Sequence, residues 1–253
     1  MIDPPPDPVI DVAALVQAIA TSCAAAGLDL HATCAAEDYQ REVEPGYRLP
    51  DHGRARALVI VIGNTRALWP IVRAARAAGA LPGPDPVDRH VEATVAAAVT
   101  AALAAHAPGL AVESRFSPEP PPRRVAMQRL AAVAGLAWLS PSHLSVHPVY
   151  GPWIGLRAAI VVDVDGPPPR PAMARPCDCA TGCAPHLAAA LAAGVPRGAA
   201  ELRPRWRAWL AVRDACPVGR DHRYDLAQLR YHYTGALDAL DGEPGGPPSS
   251  VPT

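Results

Sequence analysis

A chain of 253 residues, half of them hydrophobic, can bury one sizeable core, so the simplest count is one large α/β or α+β domain. A formal charge of −1 gives no electrostatic case for nucleic acid or an anionic membrane, both of which call for a basic face. All 23 basic residues are arginine, which we attribute to GC-rich coding in a bacterial genome rather than to function.

No apolar run reaches the ~18 residues of a membrane-spanning helix, and the start lacks a charged-then-apolar signal, so a cytoplasmic protein is expected. Six cysteines stand at 23, 34, 177, 179, 183 and 216. In a cytoplasmic chain of this size they are not expected to form a disulfide framework.

Residues 1–10 open with a proline-rich lead that has no means of folding alone. Asp11 caps a helix over residues 12–26, stopped by Gly27. Residues 36–53 are polar and carry Tyr39, Tyr47 and Pro50, which reads as an irregular surface run. Residues 57–63 (ALVIVIG) are a continuous apolar strand of the kind buried on both faces. Asn64-Thr65 then cap a helix through Ala78, ended by Gly79. A strand, Gly-Asn-Thr and a helix can together cradle an anion at the helix N-terminus. A Walker lysine and a GxGxxG run are both missing there.

Pro84-Asp85-Pro86 open an alanine-rich helix that runs to residue 107. Residues 110–116 read as a strand, 118–122 (PEPPP) as a rigid linker, and 123–139 as a helix with Met127, Leu130, Val133 and Ala134 on one face.

The centre of the chain is residues 145–163, SVHPVYGPWIGLRAAIVVD. A turn over 147–152 leads into a strand of period two. Ile154, Leu156, Ala158, Ile160 and Val162 are expected on one face, with Gly155, Arg157, Ala159, Val161 and Asp163 on the other. An arginine inside so apolar a strand calls for something anionic or water-filled to meet it. Tyr150 and Trp153 flank the turn with flat rings that suit a groove wall. Beyond Asp165 come a proline run, a cysteine-rich insert over 175–186, a short helix over 186–193, and Trp206 and Trp209 among arginines. A last helix over 225–240 carries Tyr231 and Tyr233, and 241–253 read as a disordered tail.

The spacing C-x-C-x3-C, with Cys216-Pro217 far downstream, departs from the C-x2-C-x2-C run of a cubane cluster. C-x-C also puts two side chains on opposite sides of an extended backbone, so no metal is expected. Arg213-Asp214 and Arg223-Tyr224 fit either a solvated ion-paired face or a pair of arginines clamping carboxylates. The nine histidines form no HxH or HExxH pair, and His147 fits a hydrogen-bonded loop residue or a ligand.

The ordered residues resemble a known family. Val146-His147-Pro148 to Tyr150-Gly151, then Trp153 and Leu156-Arg157, is similar to the I-H-P-x-F-G-G-W-F-x-I-R run of the cobalamin-processing CblC proteins. In the same order, Asp85-Pro86-Val87-Asp88 resembles their DPVD, and Gln128 with Val133-Ala134-Gly135 resembles their Q-x4-VAG helix. Trp206-Arg207-Ala208-Trp209, Arg213-Asp214-Ala215 and Arg223-Tyr224 are similar to their WRDW, RDA and RY elements. The likeness spans roughly residues 55–240 and implies one domain over 11–240.

That resemblance implies an α+β fold, nitroreductase-like, with an antiparallel or mixed sheet flanked by helices. It implies cobalamin bound base-off and loss of its upper ligand. An alkyl group would pass to the thiolate of glutathione or another thiol, and a cyanide would leave on reduction by flavin (FMN). Cobalamin-dependent acceptor proteins would follow as partners. Val125, Ala126, Met127, Gln128, Ser145 and Leu156 match corrin-lining positions, with Val146, His147 and Trp153 in the same run. Arg157 and Arg213 match arginines that grip glutathione carboxylates. Ala132 stands where the family has a histidine, and Thr234-Gly235-Ala236 where it has a further arginine. Epoxyqueuosine reductases resemble the chain in the Gly-x-Trp strand and in Ala215-Cys216-Pro217-Val218-Gly219, and a non-catalytic cobalamin carrier is a third reading.

Overall fold

The computed structural model describes residues 10–177, 179–195 and 199–241. In chain order it contains α1 (Val12–Ala25), β1 (Leu30–Ala35), α2 (Ala36–Gln40), β2 (Ala57–Asn64), α3 (Leu68–Ala77) and α4 (Pro86–His106). There follow β3 (Val112–Phe116), α5 (Met127–Val133), β4 (Trp138–Leu139), β5 (Ser145–Val146) and β6 (Gly155–Asp165). The rest is helical: α6 (Cys183–Ala192), α7 (Ala199–Leu202), α8 (Trp206–Asp214), α9 (Leu226–Thr234) and α10 (Asp238–Asp241). The expected lead and tail lie outside the described residues, apart from Ile10, which packs on the core, and Asp241, which pairs with Arg76 at 2.7 Å.

β2 is apolar along its whole length because it is covered on both faces, and all eight of its residues are buried. It pairs with β1 on one side and β6 on the other, and β3 joins the far edge of β6. Every pairing in this β1-β2-β6-β3 sheet is antiparallel. Leu58, Ile60 and Ile62 of β2, with Ala158, Ile160 and Val162 of β6, pack against Leu15 and Ile19 of α1, Val72 of α3 and Val95 of α4. The alternate residues Val59, Val61, Ala159 and Val161 pack against Tyr39 of α2 and Leu130 and Ala131 of α5. Each such aliphatic side chain contributes roughly 1.5–3 kcal/mol by leaving water. The result is an α+β architecture, an antiparallel sheet with helices on both faces.

The alternation in β6 breaks once. Gly63 lies opposite Leu156 and Ile62 opposite Ala158, so Arg157 is an extra residue between them, a β-bulge. The bulge turns Leu156, together with Ile154 before the strand, toward the α5 side. Both were expected to share a face with Ala158, and the period-two reading fails at that one residue.

Four other expectations change. Tyr39 is fully buried: its hydroxyl donates to Tyr47 O at 2.9 Å and accepts from Ala126 N at 2.9 Å. The helix expected over 123–139 shrinks to α5. Gly135 at φ 71 closes it, with Leu136 N reaching back to Ala131 O at 2.8 Å. The last helix breaks at Gly235, also left-handed at φ 68, into α9 and α10. The anion cradle after β2 is filled from within, since Thr65 N and Oγ donate to the Asp29 carboxylate at 2.7 and 2.6 Å.

Tyr39→Phe removes a hydroxyl that serves two backbone groups. A loss of about 1–3 kcal/mol is expected, read as a lower urea midpoint at unchanged slope.

Candidate functional site

α5 and the strand pair β4–β5 build an apolar wall on one face of the sheet. Val125 and Met127 are almost fully buried there, and Leu156 packs on the same cluster. Ala126 is half-buried and its backbone N–H is held by Tyr39. Gln128 is exposed, and its Nε2 donates to His143 O at 2.8 Å, which ties α5 to the turn before β5. Ser145 pairs with Leu139 and Val146 with Trp138. The Ser145 hydroxyl is buried with no partner.

His147 follows at once. Its Nδ1 accepts from Val149 N at 3.1 Å and Tyr150 N at 3.2 Å, so the ring braces its own turn. Burial lowers its pKa, which keeps it neutral and able to accept. This is the hydrogen-bonded loop histidine. It also lines a cavity of about 330 Å³ with His31, Thr33 and Arg170. A larger cavity of about 440 Å³ opens between Arg129, Trp138 and Arg170 on the far side of α5.

The turn is locked from outside. Gly151 (φ 57) and Gly219 (φ 69) meet backbone to backbone. A Cβ on Gly151 would lie 1.9 Å from Val218 O, and one on Gly219 would lie 2.2 Å from Tyr150 C. Only glycine fits either position.

Beyond the turn, the two arginines singled out in the sequence both act on the side chains of Tyr224 and His232. Arg157 Nε donates to Asn64 Oδ1 at 2.6 Å, and Asp88 stands 4.0 Å from its guanidinium. Burial raises the pKa of Asp88, and Arg157 opposes that rise. Arg213 donates to Pro152 O at 2.5 Å and lies over the rings of Trp153 and Tyr224, at 4.7 and 5.3 Å from their centroids. His232 keeps a little exposed surface, yet Trp69, Tyr224 and Tyr231 surround its ring. Burial first, and then the positive fields of Arg157 and Arg213, push it well below the ordinary histidine value. Three donors in this region lack partners: Trp69 Nε1, Trp153 Nε1 and the Tyr224 hydroxyl, beside which Arg213 lies without a well-formed bond. Two guanidinium groups, a neutral imidazole and the orphan donors form one cluster, called the arginine chamber below, whose unmet donors are of the kind that pair with anions.

Trp153 belongs to this chamber, fully buried with Leu210, Tyr224 and Leu229, and not to the α5 wall. Arg223, by contrast, is paired with Asp214 at 2.6 and 3.0 Å, the ion-paired arrangement. The sequence marks Asn64 only as a helix cap and part of an anion cradle, and assigns no role to Asp88 or His232. Asp88 closes the DPVD run already noted, whereas nothing in the pattern marks His232.

The cysteines also move from expectation. Cys177 and Cys179, expected on opposite sides of the chain, stand at a sulfur–sulfur distance of 3.7 Å. Burial first and neighbouring thiols second push the Cys179 pKa up to about 12; burial pushes Cys216 up to about 11, opposed by a hydrogen bond from the Val218 backbone. Among the described residues no group of three or more His, Cys, Asp or Glu side chains stands ready to hold a metal ion.

No family model and no curated protein matches the sequence. Solved structures do. The B12-trafficking protein CblC of C. elegans, a human MMACHC homologue, matches with a TM-score of 0.61 at 16% identity, over 89% of this chain and 94% of that one. The chain has the CblC fold. Epoxyqueuosine reductase in its selenomethionine form follows at a TM-score of 0.54 and 14% identity, over 85% of this chain and 68% of that one. The same kind of enzyme with a tRNA-Tyr epoxyqueuosine-modified stem loop matches at 0.53 and 13%, over the same shares.

Within this CblC fold the glycine pair is the tightest contact between the turn and the loop after α8. Gly151→Ala is expected to cost about 2–4 kcal/mol, from overpacking and a left-handed backbone together. Gly46→Ala, with nothing within 4 Å of its Cβ, should stay within about 0.5 kcal/mol. Thermal or urea unfolding of the two variants checks the contrast.

Proposed function

We propose that this protein binds cobalamin base-off against the α5 wall and passes the upper alkyl ligand to the sulfur of a carboxylate-bearing thiol such as glutathione. The observation that carries the reading is the chamber of Arg157 and Arg213 with its orphan donors, beginning one residue after the wall residue Leu156. The CblC match over most of both chains supports the cobalamin half.

In this reading the half-buried Ala126 and Leu156 face the corrin, the buried Val125, Met127 and Val146 pack beneath them, and Gln128, Ser145 and His147 form its edge. Ser145 Oγ, buried and unpartnered, is a hydrogen bond waiting for a ligand. Both cavities are of small-molecule size, so a corrin with its nucleotide tail would lie across the open wall rather than inside either. Arg157 and Arg213 hold the thiol's carboxylates, and Trp153 and Tyr224 keep the chamber dry, which strengthens those contacts. In the transfer the thiol would first lose its proton to solvent, the thiolate would form a C–S bond as the Co–C bond of the cobalamin substrate breaks, and that bond's electron pair would stay with cobalt. Reductive loss of cyanide with reduced FMN is the alternative chemistry on the same substrate.

We take residues 11–240 as one domain of nitroreductase type, with the cysteine-rich segment 175–186 as an insert. Six free thiols suit the reducing cytoplasm. Cobalamin-dependent acceptor proteins are the onward partners, and the near-neutral charge leaves nucleic acid out of the proposal.

The test is an absorbance titration with methylcobalamin, followed by demethylation at varied glutathione. The parent should shift the corrin spectrum toward the base-off form and retain cobalamin on gel filtration. Arg157→Ala should weaken thiol use by about one to two decades, while cobalamin affinity stays within about threefold. Arg157→Lys should recover little, because an ammonium lacks the planar fork. No spectral change in the parent removes the cobalamin reading. Equal thiol dependence in all three proteins removes the clamp and leaves a carrier.

A further inference from the structure

The cavity of about 440 Å³ on the far side of α5 has no part in the reaction proposed above. α5 lines it with Arg129, Ala132 and Val133, β4 with Trp138, and α2 and the residues after it with Asp38, Arg41 and Glu42. A strap over 168–173 (PPRPAM), which follows β6, forms the remaining wall. Its start is fixed to the sheet: Arg56 donates to Pro167 O and to Glu37, and Gly166 N donates to Arg56 O at 2.7 Å. Prolines at 168, 169 and 171 carry no N–H to pair with the edge strand β1, so the strap stands off and leaves the space open. The stem of Arg170 packs over Gly135, where an added Cβ would lie 3.5 Å from Arg170 Cδ. Among the described residues neither Arg129 nor Arg170 has a hydrogen bond or an ion pair, and neither has Glu42. Arg41, by contrast, is held by Glu37 at 3.2 Å and by Asp38 at 2.9 Å. Cys34, also in the lining, stays a neutral thiol: burial and then Asp38 push it up to about 12, against the pull of Arg170.

We propose that this cavity binds a free mononucleotide, with its phosphate on Arg129 and Arg170, its ring against Trp138 and Val133, and its sugar hydroxyls toward Glu42. Three chemistries meet in the lining, and the ligand must answer all of them. Two guanidinium forks without a protein carboxylate offer the paired donors that take phosphate oxygens. The half-buried Trp138, with Val133 and Met173, gives an apolar and partly aromatic wall for a flat ring. Asp38 is committed to Arg41, so Glu42 is the free acceptor. A carboxylate there repels a bare anion such as inorganic phosphate, whereas sugar hydroxyls donate to it. The volume lies within the range of about 300–1,000 Å³ in which small ligands and cofactors are held. Ala132 keeps the α5 side of the cavity open, because a longer side chain at that position would occupy the space of the ring.

The test is calorimetric titration of the full chain, without cobalamin, with adenosine monophosphate and flavin mononucleotide as probes. Adenosine, riboflavin and inorganic phosphate are titrated alongside. One mononucleotide per chain is expected, and the tighter of the two probes identifies the ring. Removing the phosphate should weaken binding at least about 10-fold, and Arg129→Ala and Arg170→Ala should each weaken it about 10–100-fold. Ala132→Leu should block the ring, while Arg124→Ala, the same loss of charge at an exposed position outside the lining, should change nothing. Because no cobalamin is present, failure here leaves the cobalamin reading untouched. Absence of binding by both mononucleotides, equal affinity for the phosphate-free forms, or indifference to both arginine variants would each overturn the proposal. Inorganic phosphate binding as tightly as either mononucleotide would reduce the site to one for a simple anion. Displacement of the probe by cobalamin but not by cobinamide, which lacks the nucleotide, would give the cavity to cobalamin's own tail and overturn the free ligand.

Discussion

The contact between the backbones of Gly151 and Gly219 sets the geometry of everything around it. No side chain fits on either residue, so the turn over 147–151 and the loop over 216–219 are held in one register. On the turn side that register orients His147, whose Nδ1 closes the turn, and β5, which carries Ser145. On the loop side it places Cys216 and the end of α8, from which Arg213 reaches back to Pro152 O. One glycine pair thus couples the apolar wall, the arginine chamber and the thiol group.

The chamber is the expensive part of the molecule. Two guanidinium groups close to bulk protein lose hydration, and each is compensated differently. Arg157 has Asn64 and, farther off, the Asp88 carboxylate. Arg213 has one carbonyl and two aromatic faces. These contacts leave much of the forks' hydrogen-bonding capacity unmatched by protein carboxylates, while His232 is held neutral by burial and by the same two arginines. Under the proposed function a ligand would supply the missing acceptors.

Much of this was legible in the sequence where a residue conflicted with its surroundings. An arginine within GLRAAIVVD called for something anionic or water-filled to meet it; the Asp88 carboxylate stands 4.0 Å away, and the nearer partner is the neutral Asn64 amide at 2.6 Å. The all-apolar ALVIVIG run demanded cover on both faces, and β2 is buried throughout. What the sequence concealed depends on backbone events without a local signal. The bulge at Arg157 moves Leu156 across the sheet, and period-two counting cannot see an inserted residue. Cys177 and Cys179 of the C-x-C run, read as opposed side chains, are neighbours at 3.7 Å. Tyr39 looked like part of a polar surface run, and its burial depends on backbone groups at Tyr47 and Ala126 that only the fold brings near. His232 sits between two tyrosines in a helix that reads as ordinary surface.

Electron paramagnetic resonance of cob(II)alamin mixed with the protein reads the lower axial ligand of cobalt directly, because a coordinated benzimidazole nitrogen splits each cobalt line. Binding against the α5 wall with the nucleotide tail displaced predicts loss of that nitrogen splitting at saturating protein. A spectrum that keeps the splitting, whether the cobalamin is bound or free, would contradict it.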